Sequence, residues 1–201
     1  MDVYYTIKGE GSGKYTEKMS RFLSFAVPVD DAVKAKEIVK KYQNDYHDAR
    51  HVCWAWMLGP GRTDWQLNDN GEPSGTAGKP ILGQINSFGL TNVLVIVVRY
   101  FGGIKLGTSG LIAAYREAAK LALDDAGVKE CRQMCRLLVE FSYETADGVM
   151  KVIKSDGVET VEKRFDNMCS ALIEFPLDMK EEITGRLQKV EGVMLQEVAQ
   201  S

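Results

Sequence analysis

A continuous run of six aliphatic residues, Val-Leu-Val-Ile-Val-Val at residues 93–98, constrains the fold of this chain more than any other feature of the sequence. A run so rich in β-branched residues is typical of a strand that is buried on both faces. We therefore expect residues 93–98 to be the most buried strand of a sheet.

The segments around this run alternate between strand and helix patterns. Predicted strands cover residues 4–7, 21–29, 51–58 and 65–67, and predicted helices cover residues 32–46, 81–88 and 109–125. Thr108 or Ser109 is the expected N-cap of the last helix, and Gly127 is its expected end. Residues 9–14 resemble part of a phosphate-binding loop but lack the strand and helix that flank such loops, so we predict a flexible loop there.

The pattern of predicted strands and helices changes after Gly127. Strand patterns at residues 137–143, 158–165, 169–176 and 193–198 alternate with helix patterns at residues 145–154 and 178–190, and Asp166-Asn167 supplies a turn. The order βαββαβ is that of a ferredoxin-like unit. The predicted fold class is therefore α+β, with one domain over residues 1–134 and a second, ferredoxin-like domain over residues 135–201.

The net charge of −3 is distributed unevenly along the chain. Residues 1–135 contain 17 Lys and Arg against 15 Asp and Glu, whereas residues 136–201 contain 8 against 13. Nucleic-acid-binding domains usually carry a basic excess, so the acidic C-terminal part is not expected to bind nucleic acid alone. The N-terminal part could still carry a local basic patch.

The sequence also predicts the compartment and the absence of a metal site. It begins without the features of a signal peptide and has no apolar run long enough to span a membrane, so we expect a cytoplasmic protein. The four cysteines form no Cys-x-x-Cys pair and are expected to be free thiols. His47 and His51 have helical spacing but lack the Glu of a His-Glu-x-x-His motif, so we predict no metal and no cofactor.

The first candidate loop, residues 68–80, combines three glycines with two hydroxyls and two carboxylates before a helix. Glycine allows the backbone to approach a ligand closely, and the amides at residues 76–78 would precede a helix N-terminus, where anions bind. The alternative is a long surface turn of a hairpin, and composition does not decide between the two.

The second candidate loop, residues 99–110, follows the buried strand and opens the longest amphipathic helix. Arg99 and Lys105 add two cations to the partial positive charge of a helix N-terminus, so a phosphate or carboxylate would be stabilised there. The alternative is that Thr108 only caps the helix while Tyr100 and Phe101 fill core, and both roles are compatible.

A catalytic hypothesis would use Asp69 and Glu72 as acid and base, or Ser74 as a nucleophile. Ser74 lacks the Gly-x-Ser-x-Gly elbow, and neither loop has the lysine of a Walker A motif. Two carboxylates in a glycine-rich loop more often form turns than catalyse reactions.

The two loops resemble the signatures of the IMPACT/YigZ family. The resemblance lies in Asn-Gly-Glu-Pro-Ser-Gly-Thr-Ala-Gly-Lys-Pro-Ile-Leu at residues 70–82 and in Val-Val-Arg-Tyr-Phe-Gly-Gly-Ile-Lys-Leu-Gly-Thr-Ser-Gly-Leu at residues 97–111. It implies an N-terminal domain with a ribosomal protein S5 domain 2-like fold and a C-terminal domain similar to ferredoxin-like domains of elongation factor G. It also implies a link to translation, because eukaryotic relatives restrain a kinase that phosphorylates an initiation factor.

The functional hypothesis is a non-enzymatic binding protein associated with translation or its regulation, with RNA, the ribosome or a translation-linked protein as partner. The two loops would converge on a pocket for an RNA phosphate or an acidic protein segment. The expected ligand-binding residues are Gly71, Glu72, Ser74, Gly75, Thr76, Gly78, Arg99, Gly102, Gly103, Lys105, Gly107, Thr108, Ser109 and Gly110. The alternatives are an enzyme for a small phosphorylated or nucleotide-like substrate, and loops that are purely structural.

Overall fold

The computed structural model describes residues 2–166 and 168–199, and it confirms that the chain is α+β. The chain divides into two compact units. One is Tyr4–Cys131, and the other begins at Arg132 and includes Asp2 and Val3. The boundary expected from the sequence, after residue 134, stays a prediction.

The first unit is built around a five-stranded antiparallel sheet with the strand order β2-β3-β6-β4-β5, and strands β1 and β7 pair separately. Its elements are β1 (Val3–Ile7), β2 (Gly11–Glu17), β3 (Ser20–Pro28), α1 (Ala32–Asp45), β4 (His51–Leu58), β5 (Asp64–Asn68), α2 (Gly78–Ser87), β6 (Val93–Tyr100), α3 (Gly107–Ala126) and β7 (Val128–Arg132).

Strand β6 lies at the centre of this sheet, as the aliphatic run predicts. Every residue of β6 from Val93 to Arg99 is buried. Alternate side chains enter two different cores, because successive strand residues point to opposite faces. Val95 and Val97 pack in the core that includes residues of α2 and α3, whereas Ile96 and Val98 pack in the core that includes residues of α1.

The prediction of a flexible loop over residues 9–14 is wrong, because strand β2 begins at Gly11. Gly11 and Gly13 have no β-propensity that would reveal a strand. Their role depends on a tertiary contact, since a Cβ atom at Gly11 would overlap backbone atoms of Ala122 and Ala126 in α3. Glycine therefore allows β2 to lie directly against α3.

The N-terminus of α3 also differs from the prediction, whereas its C-terminus agrees with it. The helix begins at Gly107 with Leu106 in the N-cap position, so Thr108 and Ser109 lie inside the first turn rather than capping it. Gly127 ends the helix with φ 66°, the left-handed region that glycine adopts without strain.

The second unit has the element order βαββαβ and the strand order β11-β8-β10-β9. Its elements are β8 (Met134–Phe141), α4 (Ala146–Ile153), β9 (Glu159–Phe165), β10 (Cys169–Pro176), α5 (Lys180–Gln188) and β11 (Met194–Val198). Alternate residues of β8 and β10 are buried in one core with residues of α4 and α5. Asn167, predicted to lie in the turn between β9 and β10, is outside the described residues.

None of the helices in the described part of the chain is long and apolar enough to cross a membrane.

The close approach of β2 to α3 can be tested by substitution at Gly11. Gly11→Ala is expected to lower the free energy of unfolding of the first unit by about 1–3 kcal/mol, because the new methyl group overlaps helix backbone. Urea unfolding followed by tryptophan fluorescence isolates this unit, since Trp54, Trp56 and Trp65, the three tryptophans, all lie in it.

Gly83→Ala is the matched control. Gly83 is exposed in α2 with open space at its Cβ position, so alanine should leave stability unchanged or raise it by up to about 1 kcal/mol. Equal stability of the two variants would contradict the packing account.

Candidate functional site

The two glycine-rich loops meet at a cleft of about 430 Å³ in the first unit. Glu72 and Pro73 come from the loop between β5 and α2, whereas Arg99 to Thr108 come from the end of β6 and the start of α3. The lining residues are Arg50, His51, Glu72, Pro73, Arg99, Phe101, Lys105, Leu106, Gly107, Thr108 and Leu111.

A buried ion pair forms the inner wall of this cleft. Arg99 Nη1 lies 2.6 Å from Glu72 Oε1, and the two side chains are only 6% and 3% exposed. Removing two charges from water is costly unless each is paired and hydrogen-bonded. Arg99 and Glu72 meet this condition by pairing with each other, so much of the Arg99 charge is balanced within the protein.

A chain of buried polar groups extends from this ion pair into the core. The Tyr115 hydroxyl of α3 donates to Glu72 Oε1 at 2.7 Å. Cys53 Sγ of β4 lies 3.4 Å from the Tyr115 hydroxyl and 3.0 Å from the Asp69 carbonyl oxygen. Burial raises the pKa of both the Cys53 thiol and the Tyr115 hydroxyl, so both groups stay protonated.

His51 completes the outer side of the same cluster. Its Nδ1 lies 2.7 Å from the Asn70 carbonyl oxygen, which requires that Nδ1 carries the proton and donates it. Its Nε2 lies 3.7 Å from Glu72 Oε2. Asn70 is held to β4 in turn, because its Oδ1 accepts from the Val52 amide at 2.8 Å. The loop that carries Glu72 is therefore fixed to the start of β4.

The Arg99 side chain is held between two aromatic rings. Its guanidinium carbon lies 5.6 Å from the centroid of Phe22 and 5.6 Å from that of Phe101. Arg99 Nη2 lies 3.4 Å from Ser20 Oγ, and Arg99 Nε is buried without a hydrogen-bond partner among the described residues. Cation–π contacts and the ion pair together fix the guanidinium in place.

Asp69 already occupies the backbone amides that the sequence analysis assigned to an external anion. Its carboxylate accepts from Gly75 at 2.9 Å, from Ala77 at 3.1 Å and from Gly78 at 2.8 Å. These amides therefore bind an internal carboxylate at the start of α2. The expectation that the amides at residues 76–78 lie open to a ligand is therefore wrong for Ala77 and Gly78.

Two cations at the cleft, Arg50 and Lys105, are not neutralised by a carboxylate of the described residues in the way that Glu72 neutralises Arg99. Arg50 and Lys105 are both exposed, and neither forms an ion pair within the residues that the structure describes. Close by, α3 begins at Gly107 without a side-chain cap in the described part of the chain. The mouth of the cleft therefore combines two free positive charges with the partial positive charge of a helix N-terminus.

Some of the predicted site residues line this cleft, whereas the others lie outside its lining. Glu72, Arg99, Lys105, Gly107 and Thr108 line it. Gly102 lies outside the lining, and its amide donates to Ser20 Oγ at 3.2 Å. The other predicted residues outside the lining are Gly71, Ser74, Gly75, Thr76, Gly78, Gly103, Ser109 and Gly110.

The structure also brings in residues that the sequence analysis did not assign to the site. Arg50, His51, Pro73, Phe101, Leu106 and Leu111 line the cleft. Phe101 lies within the predicted loop, and its position directly after a buried strand could have indicated that it belongs to the site. Arg50 gave no comparable signal, because an isolated arginine before a strand is usually solvated.

Comparison with known proteins agrees with the resemblance of the two loops. The family description "Impact N-terminal domain" matches residues 18–123, which include every residue of the cleft. The chain belongs to the IMPACT family. The match thus covers most of the first unit, from the end of β2 into α3.

Three relatives whose names include IMPACT are similar to this chain over different fractions of its length. The IMPACT family member YigZ of Escherichia coli is 33% identical over 181 residues, covering 85% of this chain and 89% of that protein. The IMPACT family member YvyE of Bacillus subtilis is 37% identical over 135 residues, covering 67% of this chain and 62% of that protein. The Saccharomyces cerevisiae protein IMPACT homolog is 32% identical over 101 residues, 48% of this chain and 38% of that protein.

A solved structure described as a hypothetical protein is similar over both whole chains, with a TM-score of 0.73 and 26% identity. The two-unit architecture of this IMPACT family chain is therefore shared with another protein of the same length class.

Arg99 is expected to be needed for stability. Arg99→Met keeps most of the side-chain volume but leaves the Glu72 carboxylate buried without its cation. We expect the free energy of unfolding of the first unit to fall by about 3–5 kcal/mol. Arg50→Met, an exposed control, should change it by less than about 0.5 kcal/mol. Urea unfolding followed by tryptophan fluorescence measures both, and similar values would contradict the importance of the ion pair.

Asp69 is expected to be needed for the order of its loop. Asp69→Asn removes the negative charge and one acceptor oxygen from a group that binds three amides, so we expect a loss of about 1–3 kcal/mol in unfolding free energy. Asp64→Asn, on the exposed strand β5, is the control and should be close to neutral. Amide hydrogen exchange at Gly75, Ala77 and Gly78 should accelerate only in Asp69→Asn.

Proposed function

We propose that this IMPACT family chain is a binding protein linked to translation, and that its cleft docks an anionic group of a partner. The observation that carries the proposal is the uncompensated charge of Arg50 and Lys105 at a cleft that also opens onto the start of α3. A phosphate or carboxylate oxygen at this position would gain two cationic partners and the first-turn amides.

The charge balance of the lining supports an anionic ligand. Arg50, Arg99 and Lys105 contribute three positive charges, and Glu72 contributes one negative charge. Because Glu72 is 3% exposed and bound by Arg99 and Tyr115, it presents little charge to the cleft. A ligand at the mouth therefore meets a positive field.

The internal ion pair gives Arg99 a different role from the one the sequence suggested. Arg99 shapes the wall and holds Phe101 in place, while Arg50 and Lys105 are positioned to contact the ligand. Two sources of the anion fit this arrangement, an RNA phosphate and a carboxylate of an acidic protein segment.

The link to translation depends on family and fold. Membership of the IMPACT family supports it through the relatives named above. We further propose that the first unit has the ribosomal protein S5 domain 2-like arrangement and that the second is ferredoxin-like. The βαββαβ order and the single antiparallel sheet support the second assignment. Because a fold alone does not define a function, the proposed function depends on the residues of the cleft.

The geometry favours binding over the catalytic alternative with Asp69, Glu72 and Ser74. The Asp69 carboxylate is engaged by three amides, and Glu72 is engaged by Arg99 and Tyr115. Ser74 is exposed and does not line the cleft. A general base needs a free oxygen within reach of its substrate, and these two carboxylates are committed to the protein's own donors.

The proposal predicts that Lys105 contributes to binding of ribosomes. Lys105→Ala should weaken co-sedimentation with purified ribosomes and lower the slope of log affinity against log salt by about 1, because one cation–phosphate contact is lost. Lys120→Ala is the matched control, since Lys120 is an exposed lysine of α3, about 20 Å along the helix axis from Gly107 at its start. Equal binding by the two variants would refute the proposal.

A further inference from the structure

A second opening adjoins the cleft and shares two of its residues. It is lined by Arg21, Asp48, Ala49, Arg50, Tyr100 and Phe101, so Arg50 and Phe101 belong to both openings. We propose that the two openings form one track for a single-stranded nucleic acid. This inference rests on the proposed function, because it identifies the anionic partner of the same cleft.

The track follows the end of the central sheet. Arg21 of β3 pairs with Tyr100 of β6, so the two side chains lie on the same face. Arg50 directly precedes His51, which pairs with Arg99 on the other side of β6. Because neighbouring strands are about 4.8 Å apart, Arg21, Tyr100 and Arg50 form a row about 10 Å long across three strands.

Consecutive residues of β6 connect the two openings around the end of the sheet. Arg99 and Tyr100 point to opposite faces, Arg99 towards the cleft and Tyr100 towards the second opening. Phe101 follows them and lines both openings. A strand that passes from Arg21 to Lys105 would therefore cross Phe101.

Phe101 is suited to stack a base. The residue is 45% exposed although Arg99 lies over its ring, with 5.6 Å between the guanidinium carbon and the ring centroid. The backbone beside it is held in place, because the Gly102 amide donates to buried Ser20 and a Cβ atom at Gly102 would overlap the Met19 backbone. A rigid, half-exposed aromatic ring between cations is the arrangement that binds unpaired bases and their phosphates.

The charges along the track favour a polyanion. Arg21, Arg50 and Lys105 are exposed cations at its start, middle and end. Asp48 is the one acidic residue that lines the second opening within the described residues, and its Oδ1 accepts from the Tyr100 hydroxyl at 2.9 Å. Cations on both sides of an exposed aromatic ring favour a nucleic acid over an acidic peptide, which would use the cations but not the ring.

The binding of a 12-nucleotide oligouridine, labelled at its 5′ end and measured by fluorescence anisotropy, tests the track. Phe101→Leu should weaken this binding about tenfold, because a leucine cannot stack a base, whereas Phe101→Trp should preserve it. Phe165→Leu is the control, since Phe165 is a comparably exposed aromatic residue on β9, outside the track. Arg21→Ala should lower the salt slope by about 0.7.

Three further probes separate the possible partners. A 12-base-pair RNA duplex should bind more weakly than the single strand, since its bases cannot reach Phe101. Equal affinity for oligothymidine would support recognition of phosphates and base faces, and a preference for oligouridine would support an added contact to the 2′-hydroxyl. A 12-residue polyglutamate that binds as well as oligouridine, with no effect of Phe101→Leu, would overturn the inference in favour of an acidic protein segment.

The outcomes also distinguish the inference from the proposed function. If Lys105→Ala weakens ribosome binding but Phe101→Leu and Arg21→Ala leave oligouridine binding unchanged, the track is refuted and the anion cleft stands. If Lys105→Ala changes neither measurement, both are refuted. Tryptophan fluorescence and urea unfolding must show that each variant is folded.

Discussion

The ion pair between Arg99 and Glu72 determines how the rest of the cleft is built. It joins the end of β6 to the loop before α2, and Tyr115 extends it to α3. Burying both charges costs several kcal/mol, and the cost is offset only because the pair is close, nearly enclosed and hydrogen-bonded. The two loops can converge because each contributes one member of this pair.

Burial and hydrogen bonding divide the charged residues around the cleft into two classes. Asp69, Glu72 and Arg99 are bound by groups of the protein itself, so their charges stabilise the scaffold. Arg50 and Lys105 are exposed, and their charges face solvent at the cleft mouth. The residue type alone therefore does not reveal the role of a charged residue. An arginine next to a carboxylate, such as Arg99, forms part of the cleft wall, whereas an arginine that is unpaired among the described residues, such as Arg50, is available to contact a ligand.

The sequence predicted those features that depend on local pattern. The aliphatic run at residues 93–98 predicted the buried strand β6, and Gly127 predicted the end of α3. The strand and helix patterns after Gly127 predicted the order βαββαβ. The sequence did not predict β2, because Gly11 forms a strand only where α3 lies against it. Nor did it predict that Asp69 takes the loop amides, since a carboxylate and amides six to nine residues apart meet only after the loop has folded.

The glycines of the two loops and the exposed cations around the cleft are different sets of residues. Gly78 and Gly102 allow the backbone to approach neighbouring segments closely, and neither residue lines the cleft. Arg50 and Arg21 lie outside the two glycine-rich segments, although they line the cleft and its neighbouring opening. A chain with the same two loops but neutral residues at positions 21 and 50 would keep the shape of the cleft and lose two of the three exposed cations that line the cleft and its neighbouring opening. On the proposed function, partner choice would therefore depend on a few exposed side chains around a scaffold whose own charges are largely paired within the protein.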